Sequence, residues 1–365
     1  MPSASPDRDR LVETFIRLAR VDSPSRAEGQ LAQLLRAELT RLGWQVSIDA
    51  GGNLVASLDG NPAREAVLFT SHMDVVSPCL GVQPRLQAGY ITSSGQTVLG
   101  ADAKASVAAL LELAAHIATQ PDHARLEIVC TWGEEIGHLG AKSLDLRALH
   151  ATQAWVLDAL VPVGTIVIAA PTYYSFIARI HGRAAHAGVE PERGISAISV
   201  AAQAISRLPW GRLDASTTAN VGTIHGGSVR NAVPAEVELE GEVRSLSVER
   251  ASAVAAEVES VFGEVARGAG AELDLQMRRE YAGYTLAENE PLVRRARQAF
   301  DALQAGPSQV VATGGGSDAN EFNARGLRAC VLGIGAEACH SVAERISIEQ
   351  LELLARWVLQ IVELA

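Results

Sequence analysis

Cysteine pairs, long apolar runs and an excess of positive charge are all missing from this sequence. The four cysteines (Cys79, Cys130, Cys330 and Cys339) are widely spaced and form no CxxC pair, so we expect reduced, mostly buried thiols in a cytoplasm. No apolar window approaches the roughly 20 residues that cross a bilayer. The first residues contain no apolar segment that resembles a signal peptide. We therefore expect a cytoplasmic protein that makes no contact with membranes.

The negative net charge argues against one class of partner. The formal charge is −11, whereas nucleic-acid binding depends mainly on neutralising phosphates with Lys and Arg, so we expect no nucleic-acid partner. Of the 365 residues, 48% are hydrophobic and 20% are charged, which is typical of a well-packed globular protein. Because a chain of this length is long for a single core, we expect two domains.

Hydrophobic patterning predicts an α/β fold with a second domain inserted into it. Continuous apolar runs such as 66–71 and 126–131 are typical of strands that a largely parallel sheet buries on both faces. From about Pro171 the strands alternate polar and apolar residues, and the order β-α-β-β-α-β indicates a ferredoxin-like α+β module. The first pattern, with apolar runs typical of the α/β domain, returns near the C-terminus. The predicted parts are a catalytic domain from 1–171 and 285–365, and an inserted domain at 172–284.

Acidic and imidazole side chains recur where the apolar runs end. These residues are His72, Asp74, Asp102, Glu134, Glu135 and Asp158. Each motif alone is better explained as a solvated loop, but this recurrence is improbable for loops. Since open α/β sheets keep their ligand sites at the carboxyl ends of their strands, the pattern predicts a metal centre.

Three carboxylates in a metal centre call for a second imidazole besides His72. His340 follows the apolar run 329–332 and is the better candidate. His138 comes directly after the two glutamates, but we expect it to face outward on a short helix. Asp74 is placed to orient His72 through its other ring nitrogen.

Two histidines and three carboxylates suit a pair of zinc ions that share one bridging carboxylate. Asp102, Asp158 and one of the paired glutamates are the predicted carboxylate ligands. Only one of Glu134 and Glu135 can turn towards a metal, which leaves the other as a general base.

These motifs, in this order, resemble the co-catalytic dizinc exopeptidase and deacylase family. That family includes peptidase T, glutamate carboxypeptidase, aminoacylase and succinyl-diaminopimelate desuccinylase. The resemblance implies a mixed, largely parallel sheet sandwiched by helices, with an inserted ferredoxin-like lid and dimerisation domain. The matching motifs are Ser71-His72-Met73-Asp74, Gly100-Ala101-Asp102-Ala103-Lys104, Gly133-Glu134-Glu135-Ile136-Gly137, Asp158 and His340.

The resemblance also implies a specific role for each of these residues. Asp74 would support His72, and Glu134 would be the general base that takes a proton from zinc-bound water to form hydroxide. The cofactor would be two Zn2+ ions per subunit, with Co2+ or Mn2+ as substitutes. The implied ligands are His72 and Asp158 for one zinc, Glu135 and His340 for the other, and Asp102 as the bridge.

Further motifs imply substrate contacts. The stretch from His181 to Gly188 is similar to the family's HGxxxHAG lid signature, in which His186 would stabilise the oxyanion, in its own subunit or across a homodimer. Asn231 and Arg244 resemble residues that grip a substrate carboxylate, although a buried Arg could instead be structural. The glycine-rich stretch that holds Gly315 and Ser317 resembles a turn that lines the substrate pocket.

The amino-acid pattern of these motifs is most similar to that of the peptidase T-like branch. It implies a cytosolic metallopeptidase, an aminopeptidase that acts on di- and tripeptides as a homodimer through the inserted domain. Two alternatives stay open. One is an N-acyl-amino-acid deacylase or carboxypeptidase with the same metal core, which would take an N-acyl amino acid or peptide. The other is a catalytically silent member that binds only peptides or metal.

Overall fold

The structure is a computed structural model that describes residues 5–120 and 122–365. The helices in this part are α1 (Arg8–Ala19), α2 (Gly29–Arg41), α3 (Ala101–Ile117), α4 (Leu139–Ser143), α5 (Ala197–Ser206), α6 (Val248–Ala269), α7 (Pro291–Ala302), α8 (Asp318–Ala324) and α9 (Ile348–Glu363). The strands are β1 (Gln45–Ile48), β2 (Leu54–Leu58), β3 (Val67–His72), β4 (Pro84–Gln87), β5 (Tyr90–Ser93), β6 (Leu126–Thr131), β7 (Gln153–Ala159), β8 (Thr165–Ala170), β9 (Thr172–His181), β10 (Gly211–Asp214), β11 (Thr217–Gly226), β12 (Glu236–Ser245), β13 (Glu272–Tyr281), β14 (Tyr284–Thr285), β15 (Gln309–Ala312), β16 (Arg328–Gly333), β17 (Ala336–Glu337) and β18 (Arg345–Ser347). Short 3-10 helices cover Leu146–Ala148 and Pro191–Arg193.

The chain divides into two compact units. The first unit runs to Ala169 and continues at Leu286–Ala312 and Ser317–Ala365, and the second comprises Ala170–Thr285 and Thr313–Gly316. The segment Thr313–Gly316 differs from the sequence prediction, which assigned it to the catalytic domain. It groups with the second unit because Arg244 donates a hydrogen bond to the carbonyl oxygen of Gly314.

A mixed sheet forms the centre of the first unit. Its strand order is β1-β2-β6-β3-β7-β16-β8, with β15 beside β8. The neighbours β6, β3, β7 and β16 all run parallel, whereas β1 and β2 form an antiparallel hairpin at one side. Every residue of β3 and β6 is buried, as their continuous apolar patterns predict. The predicted α/β class and the largely parallel sheet are confirmed.

Helix α3 anchors the helical layers of the first unit. It packs on β3 and β7 and also contacts α1 and α9, and nearly all of its side chains are buried. Aromatic pairs fill the spaces between the layers. Phe69 lies 5.7 Å from Trp155 and Phe300 lies 5.1 Å from Trp357, measured between ring centroids. Burial of such large side chains contributes a substantial part of the folding free energy.

The second unit is an antiparallel sheet with the order β10-β11-β12-β9-β13. Helices α5 and α6 pack on β9 and β12 through a core that includes Phe176 and Phe262, whose centroids are 6.2 Å apart. The predicted pattern of four strands and two helices is confirmed. Strand β10 was missed because its four residues are largely exposed and show no apolar alternation.

Two smaller features complete the described structure. Strands β17, β18, β5 and β4 form a separate antiparallel sheet; these strands of two to four residues are too short for the sequence pattern to reveal. Within residues 5–120 and 122–365, none of the helices combines the length and the apolar character that crossing a bilayer requires.

Candidate metal centre

The parallel strands bring the predicted ligands to one edge of the central sheet. His72 is the last residue of β3, the glutamate pair follows β6, and Asp158 lies near the end of β7. His340 is in the loop that follows β16 and β17. Because β6, β3, β7 and β16 are adjacent and parallel, their carboxyl ends meet, as the sequence pattern predicts.

Asp102 lies between two sets of these side chains. It is buried at the start of α3, two residues after Gly100, whose φ of +76° suits glycine. One oxygen, Oδ1, is 3.1 Å from Nε2 of His72, and the other, Oδ2, is 3.2 Å from Nε2 of His340. The two carboxylate oxygens therefore face different histidines.

Each histidine has a second carboxylate at similar distance. Nε2 of His72 is 3.2 Å from Oδ1 of Asp158, and Nε2 of His340 is 3.2 Å from Oε2 of Glu135. Two groups result, each made of one imidazole and one terminal carboxylate, with Asp102 common to both. This arrangement has the composition and the connectivity of a dinuclear centre.

The crowding of carboxylates shifts the pKa values at this edge. Burial alone would lower the pKa of His72, but Asp158, Asp102 and Asp74 raise it well above its usual value. Hydrogen bonds to Asp102 and Glu135 raise the pKa of His340 to about 10. Burial raises the pKa of Asp158 to about 7, with added repulsion from Asp102 and Glu135. The site thus favours positive charge among its carboxylates.

The residues present fit a pair of divalent cations. Ligand atoms of His72, Asp102 and Glu135 all lie within 4.8 Å of one another, as do those of His72, Glu134 and Asp158. Oε1 of Glu135 is buried and has no hydrogen-bond partner among the described residues. A buried carboxylate oxygen without a donor is costly, and a metal ion would satisfy it.

Asp74 contacts His72 through both its main chain and its carboxylate. Nδ1 of His72 donates to the main-chain oxygen of Asp74 at 3.0 Å, whereas the Asp74 carboxylate is 3.4 Å away. The bond to the main chain keeps the proton on Nδ1 and leaves Nε2 available to a metal. The carboxylate of Asp74 also accepts the amides of Glu134 at 3.0 Å and Glu135 at 3.2 Å, and the hydroxyl of Ser25 at 2.7 Å.

Glu134 is buried beside the two ligand sets. Burial raises the pKa of Glu134 well above its usual range, and the negative charge of Asp158 raises it further. A carboxylate with a raised pKa accepts a proton more readily, which suits a general base.

The expectation that His138 faces outward was wrong. His138 is buried, with 4% of its surface exposed, and Nε2 lies 3.3 Å from Oε1 of Glu134. The reason is a backbone φ of +56° at His138, which turns the chain sharply before α4 begins. Sequence patterning does not reveal such a left-handed residue when it is not glycine.

Sequence reasoning missed two buried acids near the centre. Glu344 accepts main-chain amides from Leu99 at 2.7 Å, Gly100 at 2.7 Å and Asp102 at 3.0 Å. Asp318 accepts a hydrogen bond from the hydroxyl of Thr131 at 2.5 Å, and burial raises its pKa to about 7. Glu344 lies four residues after His340 in a loop, where spacing carries no signal that could have identified it.

Two predicted residues of the second unit lie in paired segments. The amide of Ala187 donates to the main-chain oxygen of Asn231, and the amide of Val233 donates to that of Ala185. Nδ1 of His186 accepts a hydrogen bond from the amide of Gly188 at 3.2 Å. Because an accepting nitrogen carries no proton, the proton of the His186 ring is on Nε2. His186 and Asn231 are both exposed.

Arg244 is held by other residues of the second unit. It pairs with both carboxylate oxygens of Glu242 at 3.1 and 3.2 Å, stacks on Tyr173 at 4.2 Å, and donates to Tyr281 and Gly314. In this arrangement most of its N–H groups have partners, so a substrate carboxylate would have to replace some of them.

The two remaining predicted contacts are in local turns. The amide of Gly315, in the second unit, donates to the hydroxyl of Thr313 at 3.1 Å. Ser317, in the first unit, is the N-cap of α8 and accepts the amide of Ala319 at 3.3 Å. Both groups stabilise the turn that leads into α8.

Comparison with known proteins shows extensive similarity. A model described as a peptidase dimerisation domain matches residues 171–269, and a model of peptidase family M28 matches residues 53–159. The protein YqjE of Bacillus subtilis is 38% identical over 97% of this chain and 98% of its own length. The structure of aminopeptidase PepT from Bacillus cereus is 37% identical, covers 98% of both chains and superposes with a TM-score of 0.92. That of a tripeptidase from Staphylococcus aureus is also 37% identical, covers 99% of both chains and has a TM-score of 0.96.

Replacing Glu344 with Gln tests whether that acid holds Asp102 in place. The change removes one acceptor oxygen from the three main-chain amides, so we expect metal affinity to fall about 10- to 100-fold, as for other residues that orient ligands. Metal content is measured after dialysis against graded chelator. Glu349→Gln, an exposed acid five residues later, is the matched control. Unchanged metal retention in Glu344→Gln would contradict this role.

Proposed function

Since this chain belongs to the peptidase T-like branch of the M20 metallopeptidases, we propose that it removes the N-terminal residue from di- and tripeptides. The family relation makes it a metallo-aminopeptidase with a dinuclear centre. The proposal adds the short peptide substrate, the identity of the metals as two Zn2+ ions, and the roles of individual residues. Support for the substrate comes from the tripeptidase and PepT relatives, which are similar over nearly the whole chain.

The observation that carries the proposal is the shared carboxylate of Asp102. Its oxygens face His72 and His340 at 3.1 and 3.2 Å, so one aspartate can hold two ions side by side. We assign Asp158 to the ion at His72 and Glu135 to the ion at His340, since each carboxylate lies 3.2 Å from that imidazole. Borderline-soft Zn2+ suits such a mixed set of nitrogen and oxygen ligands.

Glu134 is the proposed general base. When bound, the two ions would polarise the scissile carbonyl and lower the pKa of a water molecule. Glu134 takes the proton of the attacking water and later passes it to the leaving amine. Its burial beside Asp158 supports this role, because a raised pKa makes the Glu134 carboxylate a stronger proton acceptor. Asp74 accepts the backbone amide of Glu134 and so fixes where the side chain of the base begins.

Residues of the second unit are proposed to bind the substrate. His186 carries its proton on Nε2, as the hydrogen bond from Gly188 indicates, so it can donate to the oxyanion of the tetrahedral intermediate. Asn231 and Arg244 are proposed to bind the peptide carboxylate, with Arg244 exchanging its bonds to Glu242 for bonds to the substrate. Gly315 and Ser317 are also proposed to contact the substrate. The match to a peptidase dimerisation domain supports a homodimer.

Glu134→Ala tests the assignment of the base. Without the carboxyl group, kcat is expected to fall by at least about 100-fold, the usual lower limit for general acid–base catalysis. Metal content should stay at two ions per subunit because Glu134 is not among the assigned ligands. Both are measured on purified protein, with the exposed acid variant Glu288→Ala as control. If turnover survives in Glu134→Ala, another group is the base.

A panel of blocked peptides tests the aminopeptidase reaction. An aminopeptidase site that binds the free α-amine is expected to reject the N-acetylated form of a good tripeptide by at least about 100-fold in kcat/KM. Amidation of the C-terminus should chiefly raise KM, since it removes the carboxylate proposed to bind Arg244. Products are identified by mass. Faster hydrolysis of acetylated amino acids would instead support the deacylase alternative, and release of the C-terminal residue from N-blocked peptides would support a carboxypeptidase.

Paired inactive variants test whether His186 acts in its own subunit or across the dimer. His186→Ala alone is expected to lower kcat about 100- to 1,000-fold, as for other oxyanion donors. If His186 acts across the dimer, a heterodimer of one His186→Ala subunit and one Glu134→Ala subunit has one complete site, so about half of the wild-type turnover should return. The two subunits carry different affinity tags and are co-purified. A heterodimer as inactive as its parents would mean that His186 serves its own subunit.

A further inference from the structure

We propose that His138 is a positioning residue for Glu134, whose carboxylate it holds in the orientation needed for proton transfer. This inference rests on the proposed function, because His138 acts only through Glu134 as the base. Nothing in the sequence motifs suggested the role, since His138 was expected to face solvent.

The contact between the two side chains is short and enclosed. Nε2 of His138 lies 3.3 Å from Oε1 of Glu134, and the side chains are only 6% and 10% exposed. The main-chain oxygen of Glu134 also accepts the amides of Gly137 and His138. Main-chain and side-chain contacts therefore close the same turn, and solvent competes little with either.

The backbone of His138 is unusual for a residue without a structural task. Its φ of +56° and ψ of +37° place it in the left-handed region, which only a few per cent of residues other than glycine adopt. It precedes α4 as the N-cap residue, yet its side chain makes no capping hydrogen bond. The imidazole is thus not used to cap the helix, and the strained backbone instead directs it towards Glu134.

A second carboxylate lies on the opposite side of the ring. Nδ1 of His138 is 4.0 Å from Oε1 of Glu321, and Lys142 lies 3.9 Å from the same oxygen. The imidazole is therefore placed between two acids, one in the turn after β6 and one in α8. Acids at both ring nitrogens favour one orientation of the ring, as they do for histidines that bind metals.

Glu134 needs such a restraint because another position is within its reach. Its carboxylate oxygens lie close enough to His72 and Asp158 for the three residues to form a ligand set within 4.8 Å. A carboxylate that moved onto a metal would no longer be free to take a proton. His138 belongs to neither possible ligand set, so its loss should misplace the base and leave the metal ligands intact.

Two substitutions separate the contact with Glu134 from the other properties of His138. In His138→Gln, the side-chain amide nitrogen can occupy the place of Nε2 and still donate to Glu134. In His138→Asn, the shorter amide resembles Nδ1 and cannot reach Glu134, although Asn tolerates a positive φ well. Asn therefore keeps the turn and loses the contact, while Gln keeps the contact.

The kinetic constants, the metal content and the melting temperature are measured for both variants. His138→Asn is expected to lower kcat about 10- to 100-fold, the scale of a misplaced catalytic group, with KM within about twofold since substrate contacts are untouched. His138→Gln should stay within about threefold of wild type because one hydrogen bond is preserved. Two metal ions per subunit and a similar melting temperature are expected in both variants.

Parallel measurements on Glu134→Ala separate failure of this inference from failure of the proposed function. If Glu134→Ala is inactive and His138→Asn has the wild-type kcat, the positioning role is wrong and the base assignment stands. If Glu134→Ala is active, the base assignment itself is wrong. Adding His138→Asn to Glu134→Ala should lower the residual rate no further. A further fall, an equal loss in the Asn and Gln variants, or loss of metal in His138→Asn would each overturn the inference.

Discussion

The carboxylate of Asp102 is the group on which the metal centre depends. A buried charge is costly by several kcal/mol unless opposite charge and hydrogen bonds surround it. Here, His72 and His340 lie at its two oxygens, and Glu344 holds its backbone amide. Glu344 is itself a buried acid, so the fold adds negative charge to keep Asp102 in place. Cation binding and folding are therefore linked at this edge of the sheet.

Hydrophobic patterning predicted the elements that deliver these groups. The continuous apolar runs of β3, β6 and β7 identify buried parallel strands, and parallel neighbours must end at one edge, so the strand-end acids had to meet. The residues that hold these ligands in place were harder to predict from the sequence. The segment from His340 to Glu344 shows only scattered polar residues, and Glu344 has a role only because the fold brings it to the amides of Leu99 and Gly100. Such contacts depend on tertiary packing and leave no periodic pattern.

In the second unit, the sequence identified candidate side chains more readily than the residues that these side chains contact. Alternation along β12 places Glu242 and Arg244 on the same face, and a close ion pair between them could have been predicted from that spacing. The stacking of Arg244 on Tyr173 depends on the pairing of β9 with β12, which the sequence does not specify. The substrate-binding roles of His186, Asn231 and Arg244 stay predictions. The proton on Nε2 of His186 follows from the local turn alone.

The turn after β6 must meet two opposite requirements. In the proposed mechanism, Glu135 binds a metal, whereas Glu134, its neighbour in sequence, stays off the metals and exchanges protons. Asp74 meets part of this requirement by accepting both backbone amides, which fixes where each side chain starts. These hydrogen bonds do not fix the position of the Glu134 carboxylate, because its side chain can still rotate about three torsion angles. A contact at the far end of that side chain is needed, and among the described residues the imidazole of His138 supplies one at 3.3 Å.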